Sequence, residues 1–418
     1  MSDSPASYRD VFAVPDFRHL WAAHVLSVMG DQLARVAITI LVYERTRSAG
    51  LTALTYALTY LPDFIGGAAL AGLADRFPRR AVMVATHLVS AGLAALMAIP
   101  GTPLAVPAGL LFLLQLFSAP FSSARQATLA DMLTGDRLTL GLGAISITYQ
   151  MGLVFGLGAG AALVAKVGVS TALLIDAGTF LVSAAIIRWG IGPYRPAPRM
   201  SEGRPSGQWE TVRAGWAIVA RDARLRTLLA IACCSGFYVV PEGLAVPYAD
   251  QLGTGTAAVG WLLAANPVGT VIGMVVLRGL RPGRRLALLG PMAVGSSAVL
   301  VPTGWTPGLA ATVALWTLSG VLSAHDIVTQ ATYVRIVPAD RRGQAIGVAI
   351  AALRAAQGFG IVVAGLAAQL LAPASVIAVA AVVGALVTSI AAIRWAQAAS
   401  STFGAPEASW PRDDTEPG

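Results

Sequence analysis

The sequence predicts an all-α integral membrane protein of twelve transmembrane helices, arranged as two pseudo-symmetric six-helix halves. Three observations predict it. The chain of 418 residues is 56% hydrophobic and 12% charged, with a mean hydropathy of +0.69, against an apolar share of about 45–50% in a soluble chain. That apolar mass is divided into runs of about 20 residues, the length that crosses about 30 Å of hydrocarbon. The basic residues are sided: of 29 Lys+Arg, about 24 fall in alternate loops on one side, three (Arg45, Arg47, Lys166) on the other, and two inside spans, which is the positive-inside pattern. The third observation is an internal repeat. Gln126-Ala127-Thr128 recurs as Gln330-Ala331-Thr332, Asp136-Arg137 as Asp340-Arg341, Pro62 as Pro267, and Arg79-Arg80 as Arg284-Arg285. Asp16, Arg18, Gly30 and Glu44 return as Asp222, Arg224, Gly236 and Asp250. A nearly constant offset across several loops means two copies in the same orientation, with a path between them.

The spans follow in order, at His19–Tyr43, Leu51–Ala74, Ala81–Ile99, Leu104–Ser123, Leu140–Ala165 and Val169–Trp189. The second six are Leu225–Tyr248, Ala257–Leu277, Leu286–Val301, Leu309–Thr329, Ala345–Leu371 and Ser375–Trp395. Arg125 to Arg137 reads as a charged return loop. The expected division is an N-terminal six-helix half at 1–190, a cytoplasmic linker at 191–222, a C-terminal half at 223–398 and a disordered cytoplasmic tail at 399–418. An even span count puts both termini on the arginine-rich face, expected to be the cytoplasmic side of the cell membrane. The polar stretch Met1 to Phe17 has no short apolar region with a cleavage site, so the first span is expected to direct insertion.

Composition excludes several classes. The net charge of +8 is spread over alternate loops rather than gathered on one domain, so no nucleic-acid partner is expected. Cys233 and Cys234 are adjacent in an apolar run and give neither a disulfide framework nor a metal spacing. No phosphate-binding G-x-x-x-x-G-K-[ST] loop, H-E-x-x-H pair or nucleophile elbow is present. The chain is not expected to be an enzyme or to hold a cofactor or metal; its expected partners are a small-molecule substrate, protons and the lipid bilayer, and it is expected to be monomeric.

The stretch Ala71-Gly72-Leu73-Ala74-Asp75-Arg76-Phe77-Pro78-Arg79-Arg80 closes one apolar run and opens the next. It resembles the loop between the second and third spans of the major facilitator superfamily, G-x-x-x-D-R-x-G-R-R. Asp75, Arg76, Arg79 and Arg80 match; Ala71 and Pro78 stand at the two glycine positions. With Ser27-Val28-Met29-Gly30-Asp31 and Pro62, the chain is similar to the drug and siderophore exporter branch of that superfamily. The resemblance implies a secondary transporter, most simply a proton-coupled exporter of drugs or amphipathic small molecules working by alternating access. A small-metabolite importer or facilitated-diffusion permease is the alternative, and a membrane sensor on the same scaffold a more distant one. It also implies a conformational gate at Asp75, Arg76, Arg79 and Arg80, with Asp75 facing the positive N-terminal end of a helix in the other half. Leu280 stands at the repeat position of Asp75, so the gate belongs to the first half.

A charge in mid-span costs about 2.5–3.5 kcal/mol on the insertion scale, so each is expected to pair or to face a cavity. The proton-coupling candidates are Asp31, Arg35, Glu242, Asp326 and Arg354, with Asp63 and Asp176 as further mid-span acids. Asp31 and Arg35 are four apart and share a helix face. They form either a self-neutralising pair or a proton site, since low dielectric pushes a carboxylate toward the neutral acid and a nearby arginine pulls it back. Glu242 lies between Pro241 and Gly243, where a kink is expected, or near the surface where it is solvated. Asp326 is either solvated or paired with Arg335; its neighbour His325 is not expected to face it, because i,i+1 neighbours on a helix do not face each other. Asp63 and Asp176 fit interhelical glue.

The fifth span carries Gly143, Gly152, Gly156 and Gly160. Such spacing lets helices approach closely, and it also resembles the antiporter motif G-x8-G-x3-G-P-x-x-G-G, with Leu157 in place of its proline and Ala161 in place of its last glycine. The aromatics Phe117, Phe121, Tyr149, Phe237, Tyr238 and Trp316 fall in spans that line the substrate cavity in that superfamily, and are candidates for its walls.

Overall fold

A computed structural model describes residues 7–60, 77–192, 208–338 and 341–403. It is helical throughout those residues, without a strand among them. In the first half the helices are α1 (Tyr8–Phe12), α2 (Pro15–Thr46), α3 (Ala49–Ala57), α4 (Arg79–Met97), α5 (Ala105–Met132), α6 (Asp136–Val167) and α7 (Val169–Gly190). The connection carries α8 (Gln208–Arg221). The second half has α9 (Ala223–Cys233), α10 (Ser235–Tyr238), α11 (Val240–Gln251), α12 (Thr256–Arg278), α13 (Pro282–Ala298), α14 (Leu309–Ser323), α15 (His325–Ile336), α16 (Arg342–Ala367) and α17 (Pro373–Phe403). Among the described residues, eleven stretches are long and apolar enough to cross a membrane. The twelfth predicted span, Leu51–Ala74, supplies most of α3 and then runs into residues outside the described set, as do Asp63, Asp75 and Arg76.

Local chemistry sets the helix ends. Pro15 opens α2, where its missing N–H costs nothing. Arg47 closes it in the left-handed region at φ 51°, and Ser48 caps α3 by accepting from Leu51 N–H at 3.2 Å. Asp222 caps α9 by accepting from Arg224 N–H at 2.8 Å, and the Arg224 guanidinium holds its carboxyl below the usual carboxylate range. The seventh span is interrupted at Cys234 and again at Val239, just before Pro241. The tenth is interrupted at Ala324, between α14 and α15.

Three sequence expectations shift. The region expected to be a return loop from Arg125 begins inside α5, which stays helical to Met132 because a helix needs no apolar residues once it leaves hydrocarbon. The segment expected to be linker contains helix α8, and α17 runs to Phe403, into the segment expected to be tail.

The packing is asymmetric along the membrane normal. At the arginine-poor end one buried cluster spans both halves, with Ile38, Ile40, Tyr56 and Leu157 from the first and Leu244, Leu262, Trp316 and Ile361 from the second. At the arginine-rich end each half has its own cluster: Phe17, Leu20, Met83 and Leu129 in one, Leu228, Leu289, Tyr333 and Val348 in the other. Two helix pairs carry most of the contact between halves, α6 with α12 and α3 with α16, and α11 also packs on α3; the repeat exchanges the first pair for the second. Small residues permit both approaches. A Cβ added at Gly260 would lie 2.5 Å from the Gly158 carbonyl oxygen, and one at Gly365 would lie 2.4 Å from Ala53 Cβ. Tyr43 Oη donates to Asp250 Oδ2 at 2.8 Å and Arg47 Nη1 lies 3.3 Å from Asp250 Oδ1, tying the halves at the same end. Both ionic partners are more than half exposed, so this ion pair contributes little by itself.

Candidate functional site

A cavity of about 380 Å³ lies where the joined end gives way to the separated one. Its wall takes His24, Asp31 and Arg35 from α2, Gln115, Phe121 and Arg125 from α5, Tyr149 from α6 and Arg354 from α16 of the other half. At 1.5 Å of rise per residue, Asp31 sits roughly 22–24 Å from either end of α2, near mid-membrane. Asp31, Arg35 and Arg354 thus share one cavity, although nothing in their sequence spacing joins the last to the first two.

A second polar cluster closes the cavity toward the joined end. Glu242 Oε2 accepts from Tyr56 Oη at 3.0 Å and from Tyr60 Oη at 3.1 Å. The Arg35 guanidinium lies 5.7 Å from the Tyr56 ring centre and 5.9 Å from that of Tyr60, and Arg354 lies 5.5 Å from the Tyr60 ring, within cation–π range. Both arginines also act electrostatically on the Glu242 carboxylate. Glu242 is therefore not solvated at an outer surface: the broken seventh span turns it onto the tyrosines of the opposite half. The spacing Tyr56-x-x-x-Tyr60 was the available signal, since it places both hydroxyls on one helix face.

The sequence places Arg125 in a return loop; the structure places it in the cavity wall, on α5. Its Nη1 contacts His24 Nδ1, its Nη2 donates to Ser122 Oγ at 3.3 Å, and its guanidinium lies 5.7 Å from the Phe121 ring centre. Phe121 in turn stacks on His87 at 4.0 Å. Arg125 was legible as a candidate only if the helix was carried past the apolar run.

The other candidates separate. Asp326 takes a hydrogen bond from Tyr238 Oη, and His325 Nε2 lies 3.5 Å from its Oδ1. The expectation that His325 and Asp326 do not face each other fails: they open α15 side by side, and His325, whose Nδ1 lies 3.0 Å from the Leu322 carbonyl, brings its Nε2 to the neighbouring carboxylate. Asp326 lines a small groove with Leu228 and Tyr333, apart from the central cavity. Asp176 is fully buried on α7 behind Gly30, where its Oδ1 accepts from Thr179 Oγ1 at 3.4 Å. Asp31 acts electrostatically on both Asp176 and Arg125.

Of the aromatic candidates, Phe121 and Tyr149 line the cavity. Phe237 faces an apolar cleft with Phe359, which is 71% exposed on the lipid-facing surface. Tyr238 is engaged with Asp326, Trp316 is buried against Tyr248 at 5.8 Å, and Phe117 is partly buried on α5 without lining the cavity. The glycines of α6 serve close packing: Gly152 meets Val28, Gly156 meets Gln32 and Gly160 meets Leu33 on α2, while Gly143 approaches Tyr8. Arg79 bonds to Asp131 and to the Ala127 carbonyl at 2.7 Å, and Arg80 to the Ile191 carbonyl at 2.9 Å. In this conformation both therefore bind within their own half. Among the described residues no cluster is arranged to hold a metal ion.

Comparison with known proteins agrees with this architecture. The enterobactin exporter EntS of Shigella boydii serotype 4 (strain Sb227) is 27% identical over 336 residues, covering 77% of each chain. EntS of Salmonella choleraesuis (strain SC-B67) is 28% identical over 343 residues, covering 77% of this chain and 78% of its own. Among solved structures, a bacterial homologue of the human lysosomal transporter Spinster superposes with a TM-score of 0.68 at 14% identity, over 93% of this chain and 98% of that one. A POT family transporter in complex with 5-aminolevulinic acid gives a TM-score of 0.71 at 10% identity, over 93% and 99%. The family description of the Major Facilitator Superfamily matches residues 20–242. With more than half of its length matched, and with two joined six-helix halves enclosing a polar cavity, the chain belongs to the Major Facilitator Superfamily of multi-pass membrane transporters.

Proposed function

We propose that this transporter exports amphipathic small molecules, drugs among them, in exchange for protons, by alternating access of the cavity between its halves. The observation that carries the reading is the cavity: it lies between halves joined at one end, with Asp31, Arg35 and Arg354 in its wall at mid-span depth and Phe121 and Tyr149 beside them. Charges in that position are costly unless paired or hydrated, which favours a task for them. The similarity to enterobactin exporters supports the outward direction.

In this reading Asp31 is the proton site, Arg35 tunes it, and Arg354 brings a charge from the other half whose distance changes as the cavity opens. Glu242 is the second proton candidate because its tyrosine partners belong to the opposite half, so it too changes surroundings in the cycle. Asp326 ranks behind both because it lies in a separate groove. Asp75, with Arg76, Arg79 and Arg80, gates the state in which the arginine-rich ends meet. Both termini and the 191–222 linker face the cytoplasm, with the two halves at 1–190 and 223–398, and the working unit is one chain in the cell membrane.

The test is transport in proteoliposomes with an imposed pH gradient. Wild type should concentrate substrate against its gradient. Asp31→Asn should abolish that uphill movement while keeping counterflow exchange, which needs no net proton transfer. Uphill transport by Asp31→Asn would reduce Asp31 to a structural ion-pair member. A wild type that ignores the pH gradient would replace antiport by facilitated diffusion or another ion.

A further inference from the structure

We infer that the groove between α9 and α17 at the arginine-rich end binds one anionic phospholipid, its phosphate held by Arg226 and Arg394 and an acyl chain laid along the seam below them. The site faces lipid rather than the central cavity, so it stands apart from the transport reading.

The groove has a volume of about 700 Å³. Its walls are two helix faces, with Arg226 and Ala230 on α9 and Val387, Ile390, Ala391 and Arg394 on α17, at the three- and four-residue spacing of one face. Charge and apolar surface are separated by depth. The seventh span starts at Ala223 and the last membrane-crossing stretch ends at Ala398. Both arginines are exposed and stand about 5–6 Å inside that end, at one level. Below them the wall is apolar. From Arg394 to Val387 is about 10 Å and to Val383 about 16 Å, half of the roughly 30 Å of hydrocarbon. Val383 and Cys233 line the next cleft, one turn beyond Val387 and Ala230, so the apolar seam continues to the middle of the bilayer. The groove is therefore one leaflet deep.

Local contacts shape both parts. Arg226 Nη1 donates to the Ala220 carbonyl of α8, which holds the guanidinium toward the end of the span and uses one of its five N–H donors. Thr227 Oγ1 donates to the Ala223 carbonyl at 2.9 Å, so its hydroxyl does not interrupt the apolar wall. Asp222, the nearest acid along the chain, is held by Arg224 at 2.8 Å, and among the described residues no acidic side chain lines the groove. Guanidiniums match phosphate oxygens with their fork, and a basic pocket between transmembrane helices at headgroup depth suits an anionic lipid. A free anion would meet the arginines and leave Val387 and Ile390, both exposed, uncovered. A zwitterionic lipid would cover them but bring its own cation to two guanidiniums. The groove on the other side of α17 supplies a contrast. It holds about 850 Å³ against α13, lined by residues such as Gly290, Pro291, Ala392 and Ile393, with no charged side chain. The repeat sets the buried Leu20 at the position of Arg226, so the first half cannot form the same pair.

The experiment uses the full-length protein in phosphatidylcholine nanodiscs doped with a photoreactive lipid, a phosphatidylglycerol or a phosphatidylcholine carrying the same diazirine in one acyl chain. Labelled peptides are mapped by mass spectrometry after irradiation. At equal doping the glycerol probe should label α9 at least fivefold more than the choline probe, and that ratio should exceed the ratio at α13. Arg226→Gln combined with Arg394→Gln should lower the α9 ratio at least threefold. Arg284→Gln, at an exposed arginine of the same end outside the groove, should leave it unchanged. The wild-type comparison needs no variant, so poor folding of a substitution does not remove the test. A wild-type α9 ratio near one or no higher than that at α13, or an unchanged ratio in the folded double variant, overturns the inference. Full displacement of the labelling by inorganic phosphate, which would assign the arginines to a free anion, overturns it as well.

Discussion

The bond between Glu242 and the paired tyrosines is made across the halves, so it should favour the conformation in which the arginine-poor ends are joined. The perturbation is Tyr56→Phe with Tyr60→Phe, which removes both hydroxyls and keeps both buried rings. The two bonds are 3.0 and 3.1 Å long, and Tyr56 and Tyr60 are 1% and 6% exposed, so water does not replace the lost donors. A hydrogen bond to a charged acceptor contributes about 1.5–3 kcal/mol. If the bonds break when this end opens, each lost hydroxyl shifts the conformational equilibrium about 10- to 150-fold toward opening. The two shifts are not additive, because the second tyrosine can improve its geometry when the first is gone. Spin labels at Leu51→Cys and Leu370→Cys report the separation directly, since these exposed positions flank the contact of Gly50 with Gln369. The background must lack Cys233 and Cys234, both of which are free thiols. The double variant should gain a longer-distance population by pulsed electron resonance. Glu242→Gln, which keeps one acceptor oxygen, should gain less. A distance distribution identical to wild type in the double variant would refute the claim that this cluster holds the halves together.

Three further outcomes follow. Reporter fusions after Gly101 and after Gly192 should lie on opposite faces of the membrane; the same face for both would sink the twelve-span topology. Gly260→Val should lower thermal stability in detergent by about 1–3 kcal/mol through overpacking, because its Cβ would stand 2.5 Å from the Gly158 carbonyl, whereas Gly143→Ala, 3.6 Å from the nearest atom, should melt like wild type. Asp75→Asn should cut turnover and increase labelling of cavity positions from the arginine-rich face with little loss of folded protein; normal turnover would leave Asp75 as a topology marker.

The frame of the molecule is legible in the sequence because its causes are one-dimensional. Span length, loop charge and the repeat each follow from order along the chain, and the contacts of α6 with α12 and α3 with α16 are related by that same repeat. The grouping of Asp31, Arg35 and Arg354 is not legible, since it depends on how two distant helices tilt. Arg125 was lost at a boundary: a charge after an apolar run reads as water, yet α5 continues to Met132 and presents the side chain inward. Tyr56 and Tyr60 give little signal in the sequence because tyrosines in spans commonly sit at interfaces. The contact of His325 with Asp326 is not legible either, because helical spacing fixes where side chains leave the backbone and not how the His325 ring turns at the first residue of α15.

The meeting of Gly158 with Gly260 has a mechanical consequence. Backbone rests on backbone there, with only the Cβ atoms of Ala161 and Ala264 beside it, so in the alternating-access cycle proposed above the contact would serve as a fulcrum for one bundle to roll against the other. It lies near the arginine-poor end of both helices, leaving long lever arms. From Gly260 to the end of α12 at Arg278 is about 27 Å, and from Gly158 back to Asp136 about 33 Å. A rocking of about 10° then moves the far ends by roughly 5–6 Å at that rise per residue, while the fulcrum itself hardly shifts. That stroke approaches the width of an aromatic ring with its contacts, so in the proposed cycle a modest roll would be enough to change a passage for solute into a seal.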